Sequence, residues 1–241
     1  MTNLELPKPP SKWLLLLESR ALAEYASLLL GGPFVRALPR GDGHPVMIIP
    51  GFGPTDISTR PLRRVLTRLG YAVHGWEQGR NLGMKSKIRE ALSASLSRLH
   101  EKHGAKVSLL GWSLGGVFVR ELARHQPERV RRVITLGSPI NLSPDATNLD
   151  ALFRRFNPAY TPDLEAFKRR CVAPPVPCTA IYSKTDGLVA WQTSMENSAA
   201  NTENVEVSAS HLGLGCNLRV IRVIAERLAQ PVQESRNKVT A

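Results

Sequence analysis

The chain has 241 residues, of which 42% are hydrophobic and 22% charged, and its formal net charge is +12. A chain of this length and composition can bury one sizeable core, which excludes an intrinsically disordered protein and is typical of a soluble globular domain. A basic balance can indicate nucleic acid or an anionic membrane as partner, so the distribution of the arginines matters.

The arginines are dispersed along predicted amphipathic helices. Roughly one side of one helix carries Arg60, Arg63, Arg64 and Arg68, and another helix carries Arg219 and Arg222 with Arg227 nearby. This pattern is typical of solvated helix faces. Aromatic residues that could stack on bases are not interleaved with the arginines, and the sequence has no nucleic-acid-binding motif. We therefore expect no nucleic-acid partner, while contact with anionic lipid stays open.

Three cysteines, Cys171, Cys178 and Cys216, are too few and too unevenly spaced for a disulfide framework. They indicate a reducing compartment and hence a cytoplasmic protein, although a bridge between Cys171 and Cys178 remains an alternative. The sequence shows neither a C-x-x-C motif nor a His/Cys cluster, so we expect no metal site.

Residues 1–44 form an N-terminal segment that carries an amphipathic helical pattern over residues 14–30. Its apolar stripe is interrupted by Glu18, and the stretch is too charged to span a bilayer. It also lacks the regions of a signal peptide. Two interpretations follow: the helix packs on the domain, or it is an interfacial helix that touches a membrane or closes over the site.

Strand-like and helix-like stretches alternate over residues 45–140 and 176–230, a rhythm that predicts a mostly parallel sheet of about six strands with helices on both faces. Strands are expected at residues 46–50, 71–76, 106–111, 129–136, 177–183 and 204–208, and helices at 57–69, 86–103 and 218–229. The rhythm fails over residues 141–175, which predicts a small helical cap insertion. Residues 231–241 are expected to form a flexible tail.

Ser113 lies in Gly111-Trp-Ser-Leu-Gly115-Gly116, between a predicted strand and a predicted helix. This arrangement predicts a nucleophile elbow, in which small neighbours permit a strained turn that exposes the serine oxygen. The start of the following helix favours an oxyanion at the same place. The alternative is a plain strand-to-helix turn whose glycines serve packing.

The first strand is followed by Pro50-Gly51-Phe52-Gly53, a second turn with a catalytic interpretation. Acyl transfer needs two N–H groups directed at one carbonyl oxygen, from the residue after the nucleophile and from an early strand-to-loop turn. Leu114 and Phe52 are the candidates for this oxyanion hole. The alternative is again a simple tight turn.

Asp186 is the candidate acid, because it follows a late strand, although an aspartate before glycine is also common in ordinary turns. Of six histidines, only His211 follows a late strand after that acid, which makes it the candidate base.

The remaining candidates are substrate contacts. Loops at the carboxyl ends of parallel strands bind ligands, and Trp76 and Asn81 lie in such a region. Four aromatic residues of the insertion, Phe153, Phe156, Tyr160 and Phe167, either wall an acyl pocket or pack against the body. The substrate-binding residues predicted here are Trp76, Asn81, Trp112, Phe153, Val189 and Leu212.

The order Ser113, Asp186, His211 is that of the α/β-hydrolase superfamily, which the chain resembles over about residues 45–229. The segments around these three residues are most similar to bacterial lipases and carboxylesterases. One departure is Pro50, which stands where many relatives carry a histidine. The resemblance implies a serine hydrolase that needs no cofactor and acts on small-molecule esters.

The expected activity is hydrolysis of short to medium acyl esters through an acyl-enzyme, rising with pH through roughly 6 to 7 as the histidine becomes neutral. Two alternatives stay open: acyl transfer from the same intermediate to an alcohol or amine, and a non-catalytic binding protein that kept the fold.

Overall fold

The computed structural model describes residues 7–141, 146–159, 161 and 164–231, with the backbone alone at residues 164, 166 and 167. Over these ranges six strands form one parallel sheet in the order β2-β1-β3-β4-β5-β6, as the sequence predicts. The strands are β1 Pro45–Ile49, β2 Ala72–His74, β3 Val107–Trp112, β4 Val130–Leu136, β5 Cys178–Tyr182 and β6 Thr202–Glu206.

Helices flank the sheet. They are α1 Lys12–Leu16, α2 Ala21–Leu30, α3 Gly32–Arg36, α4 Arg60–Arg68, α5 Ser86–His103, α6 Leu114–His125, α7 Asp150–Phe156, α8 Leu164–Cys171 and α9 Leu218–Ala229. Short 3₁₀ turns cover Leu17–Arg20, Pro127–Arg129 and Trp191–Ser194.

The central strands are buried on both faces, which explains their continuous apolar runs. Successive side chains alternate between two hydrophobic layers, because side chains in a strand point to opposite faces. Ile48 and Leu110 pack in the layer that includes α9, whereas Met47 and Leu109 pack in the layer that includes α5 and α6. The hydrophobic core therefore lies on both sides of the sheet. The loops that connect strands and helices meet at the ends of the strands.

Two predicted strands differ from the observed ones. The second strand ends at His74 instead of residue 76, because the Asp56 carboxylate accepts the N–H groups of Trp76 and Glu77 at 2.9 Å each and draws the chain away from the sheet. The last strand, Thr202–Glu206, begins and ends two residues earlier than expected. It is an edge strand with half-exposed side chains, so its apolar pattern is weak.

The N-terminal helix is also not continuous, since the 3₁₀ turn Leu17–Arg20 separates α1 from α2. This turn directs Glu18 into the protein, where its carboxylate is buried and accepts backbone N–H groups. The helix over 57–69 is shorter than predicted, running from Arg60 to Arg68.

The insertion between β4 and β5 contains the two short helices α7 and α8. Its first described residues pair with the loop after β5: Thr147 forms an antiparallel bridge with Val189, and Asn148 donates its N–H to the Leu188 carbonyl at 2.9 Å. The aromatic candidate Tyr160, the side chain of Phe167 and residues 232–241 of the predicted tail lie outside the described part of the chain.

The three cysteines are free thiols, and burial raises the pKa of Cys178 to about 12 and that of Cys216 to about 11. In the described part of the chain, no helix combines the length and apolar character that crossing a bilayer requires.

Candidate active site

Ser113 lies between β3 and α6 with φ 53° and ψ −123°, a conformation that is costly for a residue with a side chain. The positions around Ser113 require glycine, because there is no room for a side chain there. A Cβ atom added at Gly111 would lie 2.4 Å from the carbonyl oxygen of Gly115, and one added at Gly115 would lie 2.3 Å from that of Ile49. The strand, the turn and the helix therefore meet too closely for any larger residue, and the turn has the geometry of a nucleophile elbow.

Asp186 and His211 form a buried pair in the loops after β5 and β6. The Oδ2 atom of Asp186 lies 2.6 Å from Nδ1 of His211, while Oδ1 accepts the N–H groups of Leu188 and Val189 at 2.8 and 2.7 Å. These two backbone donors fix the carboxylate with one oxygen directed at the imidazole. An imidazole held through Nδ1 presents Nε2 to a reacting group.

The pKa of His211 results from opposing influences. Burial, the largest of them, favours the neutral ring and lowers the pKa, but the negative charge and hydrogen bond of Asp186 and the charge of Glu18 outweigh it. The pKa of His211 is therefore raised above its ordinary value.

Three contacts connect this pair to the nucleophile turn. Ser113 donates its N–H to the carbonyl of Leu136 at 2.8 Å, and Gly137, the residue after Leu136, lies directly against Asp186 and His211. A Cβ added at Gly137 would lie 3.0 Å from Asp186 Oδ2 and 3.1 Å from His211 Nδ1. In addition, the indole N–H of Trp112 binds the His211 carbonyl at 3.1 Å. The loops of Asp186 and His211 thus meet the turn of Ser113 at the ends of β3 and β4.

The turn after β1 lies beside the serine, because a Cβ added at Gly51 would be 3.1 Å from the Cβ of Ser113. Phe52 belongs to this turn, and Leu114 opens α6, where first-turn N–H groups have no acceptor within the helix. The chain order reverses between β1 and β3, and such switch points are where parallel sheets bind ligands. Both candidate oxyanion donors therefore flank Ser113 at a favourable place.

A cavity of about 650 Å³ opens at Ser113, within the usual size range of small-molecule sites. Phe52, Leu114, Phe153 and Val189 line it. The ring of Phe52 meets that of Phe153 edge to face at a centroid distance of 5.6 Å, and Phe156 approaches it at 6.1 Å. Helix α7 therefore places an apolar aromatic cover over the turn beside the nucleophile.

Of the six predicted substrate contacts, Phe153 and Val189 line this cavity, whereas Trp76, Asn81, Trp112 and Leu212 lie away from its wall. Trp76 is buried in the core, and its indole N–H binds the Gly79 carbonyl. Leu212 is 52% exposed.

Asn81 is buried and stabilises the turn after β1 instead of facing the cavity. Its amide donates to the Pro50 carbonyl at 2.8 Å, its backbone carbonyl accepts from Gly53 at 2.7 Å, and its N–H donates to Pro54 at 3.0 Å. Asn81 therefore supports the turn after β1. Trp112 likewise supports the loop of His211, because its indole N–H donates to the His211 carbonyl.

Sequence reasoning missed the contribution of residues 10–30, named here the N-terminal strap. The carboxylate of Glu18 accepts the N–H groups of Gly187, His211 and Leu212 at 2.8, 2.9 and 2.8 Å, so it links the loop of Asp186 to the loop of His211. Glu24 accepts from the N–H and hydroxyl of the neighbouring Ser210. The sequence held one signal of this role: Glu18 is a charged residue that interrupts an apolar stripe, which indicates a buried partner for its carboxylate.

A second Ser-His-Asp array is present at the opposite ends of the strands. The ring of His44 contacts Asp42 through Nδ1 and lies 2.8 Å from the Ser108 hydroxyl through Nε2. Ser108 has no exposed surface, so a substrate cannot reach it. This array is a structural network and not a second site. Within the described ranges, no three His, Cys, Asp or Glu side chains converge as a metal site would need.

Comparison with known proteins assigns the class. A family model described as alpha/beta hydrolase fold matches residues 46–170, which is more than half of the chain, and the protein belongs to this family. The fold and the superfamily resemblance expected from the sequence are thereby confirmed.

Two curated proteins share local similarity. The pimeloyl-[acyl-carrier protein] methyl ester esterase of Photobacterium profundum is 30% identical over 108 residues, covering 44% of this chain and 42% of that protein. The polyketide synthase ThaQ of Burkholderia thailandensis is 33% identical over 123 residues, covering 48% of this chain and 6% of that protein. The match spans less than half the length of either relative.

Solved structures agree on the fold. The monoacylglycerol lipase of Paleococcus ferrophilus superposes with a TM-score of 0.55 at 18% identity, covering 80% of this chain and 96% of that one. Lipase B of Aspergillus fumigatus gives a TM-score of 0.62 at 18% identity, covering 80% of this chain and 54% of that one. At such low identity these matches speak for the fold alone.

Proposed function

We propose that the protein is a serine hydrolase that cleaves carboxylic esters with short to medium acyl chains. The observation that carries this proposal is the buried Asp186–His211 pair at 2.6 Å, packed against the strand ends beside Ser113 and its cavity. The P. profundum relative, which is named an esterase, supports an ester as the substrate class.

In the first half-reaction His211 takes the proton of Ser113 as the serine oxygen attacks the ester carbonyl, and Asp186 holds the imidazole in the required tautomer. The N–H groups of Phe52 and Leu114 stabilise the negative charge on the carbonyl oxygen, where one such donor contributes about 3 kcal/mol. The carbonyl re-forms as the alcohol departs with the proton that His211 returns, leaving an acyl-serine.

In the second half-reaction His211 removes a proton from water, and the hydroxide so formed attacks the acyl-serine. The intermediate collapses to the free acid, and Ser113 recovers its proton from His211. These steps require neither a metal nor an organic cofactor. Because the three cysteines are free, we propose that the reaction occurs in the reducing cytoplasm.

The test is a series of p-nitrophenyl esters of increasing acyl length, hydrolysed by the wild type and by Ser113→Ala. We expect the variant to fold normally and to retain less than about a hundredth of the wild-type rate, since it lacks the nucleophile. A fluorophosphonate should label the wild type and not the variant. An unlabelled wild type would favour the alternative of a binding protein that has lost turnover.

A second activity, acyl transfer to an alcohol, is favoured by the aromatic cover of Phe52, Phe153 and Phe156. An apolar cover limits water near the acyl-enzyme and offers a surface to a hydrophobic alcohol. Trp112, which the sequence predicts as a substrate contact, packs beneath the loop of His211 instead. We expect a vinyl ester with benzyl alcohol in water to give a new ester beside the acid. Acid as the sole product at every alcohol concentration would contradict transfer.

A further inference from the structure

We propose that the outer face of the N-terminal strap docks the protein on an anionic lipid membrane. This inference does not depend on the hydrolase activity, because it rests on a surface and not on the catalytic residues. The sequence predicts that the strap either packs on the domain or is an interfacial helix that touches a membrane or closes over the site. The structure gives it an inner face that packs and an outer face that is free.

The outer face is unusually apolar. Thirteen large hydrophobic side chains are exposed in the described part of the chain, and eight of them lie within residues 13–30. These eight are Trp13, Leu15, Leu16, Leu17, Leu22, Tyr25, Leu29 and Leu30. Such a concentration of exposed apolar surface marks an interaction site.

Helix α2 shows how the two faces are separated. Leu22, Tyr25 and Leu29 recur at spacings of three and four, which places them on one exposed side of the helix. Glu24 and Leu28 lie on the other side, where Glu24 binds Ser210 and Leu28 is buried. The apolar outer stripe is thus distinct from the contacts that hold the helix to the domain.

The charges of the segment favour an anionic partner. Between residues 7 and 40 the only acidic residues are Glu18 and Glu24, and both carboxylates bind backbone N–H groups of the domain. The basic residues Lys8, Lys12 and Arg36 are exposed. Positive charge beside an apolar stripe with Trp and Tyr is the pattern of helices that lie in a membrane interface.

A second copy of the chain fits this face less well. Each copy has a net charge of +12, so two copies repel one another, whereas an anionic lipid surface attracts the same charge. The strap also binds the catalytic loops through Glu18, and Leu212, which donates to Glu18, is itself half exposed. Docking would therefore hold the acid and base loops close to the lipid surface.

Flotation with vesicles tests the proposal. We expect the wild type to float with vesicles of phosphatidylglycerol and phosphatidylcholine, to bind pure phosphatidylcholine more weakly, and to be released partly at high salt. A variant with serine at positions 13, 16, 22, 29 and 30 should bind at least about tenfold more weakly, because each large side chain contributes apolar burial. The matched control Ile57→Ser with Val172→Ser removes exposed apolar residues elsewhere and should bind like the wild type.

Folding of both variants is checked by circular dichroism. A milder variant guards against misfolding: the blue shift of tryptophan fluorescence on adding anionic vesicles should be lost in Trp13→Phe. Of the other three tryptophans, Trp76 and Trp112 are buried, and the half-buried Trp191 lies outside the strap and stacks on the ring of Tyr182. The proposal is overturned if the wild type does not float, if the serine variant binds as tightly as the wild type, or if the shift persists in Trp13→Phe. The proposal is also overturned by a second pair of results. In this case sedimentation velocity shows that the wild type forms a dimer and the serine variant does not, and the wild type does not bind vesicles.

Discussion

Replacing Glu18 with glutamine should alter both the stability of the protein and the pH dependence of its reaction. Glu18 is 5% exposed, and its two oxygens accept three backbone N–H groups from the acid and base loops. Glutamine keeps the shape but puts an NH₂ group opposite one of these donors and removes the negative charge that helps to raise the pKa of His211. Glu18 does not touch the reacting atoms, so it acts as a positioning residue.

The expected loss of stability follows from the contacts. A hydrogen bond to a charged group contributes about 1.5–3 kcal/mol, and the substitution breaks one and weakens two, so we expect a loss of about 2–4 kcal/mol in the free energy of unfolding. In a domain of this size each kcal/mol lowers Tm by about 2–4 °C. The rate should fall because both loops shift, and the midpoint of the kcat/KM pH profile should move to lower pH because His211 loses a favourable charge.

Glu24→Gln is the matched control. Glu24 lies on the same strap, but within the described chain its carboxylate binds Ser210 and Asn217 and not the backbone of His211. We expect this variant to lose stability while keeping the pH midpoint of the wild type. The assays are thermal unfolding and initial rates with a p-nitrophenyl ester from pH 5 to 9. If the kcat/KM pH profiles of the wild type and Glu18→Gln have the same midpoint, Glu18 does not act through His211.

Three further predictions concern the site and its support. Asp186→Asn should lower kcat by about 10⁴-fold with little change in Tm, because the imidazole loses its required tautomer; an unchanged rate would assign the acid role elsewhere. The kcat/KM of the wild type should rise with pH through a midpoint above about 6.5, since His211 must be neutral to accept a proton and its pKa is raised; a flat profile from pH 5 to 8 would contradict His211 as base. Arg120→Met should cost about 3–5 kcal/mol in urea unfolding, because it leaves Glu196 buried without the two hydrogen bonds of 2.8 and 2.7 Å from the guanidinium; a loss below about 1 kcal/mol would show that the pair contributes little.

Local sequence determined much of this protein. The parallel sheet was predictable because buried strands produce continuous apolar runs and alternate with helices at a regular interval. Ser113 was identifiable because its turn tolerates only glycine at nearby positions, a requirement that appears directly in the sequence. Asp186 and His211 followed from chain order, since both stand at the carboxyl ends of late strands.

Tertiary structure alone decided which side chains face the cavity and which support it. Trp76, Asn81 and Trp112 were expected to touch substrate because they lie near strand ends, but the direction of a side chain there depends on contacts with residues far away in the chain, such as the Pro50 carbonyl for Asn81. The role of Glu18 was hidden for the same reason. Its partners at positions 187, 211 and 212 are about 170 to 190 residues away, and only folding brings them within 3 Å of its carboxylate.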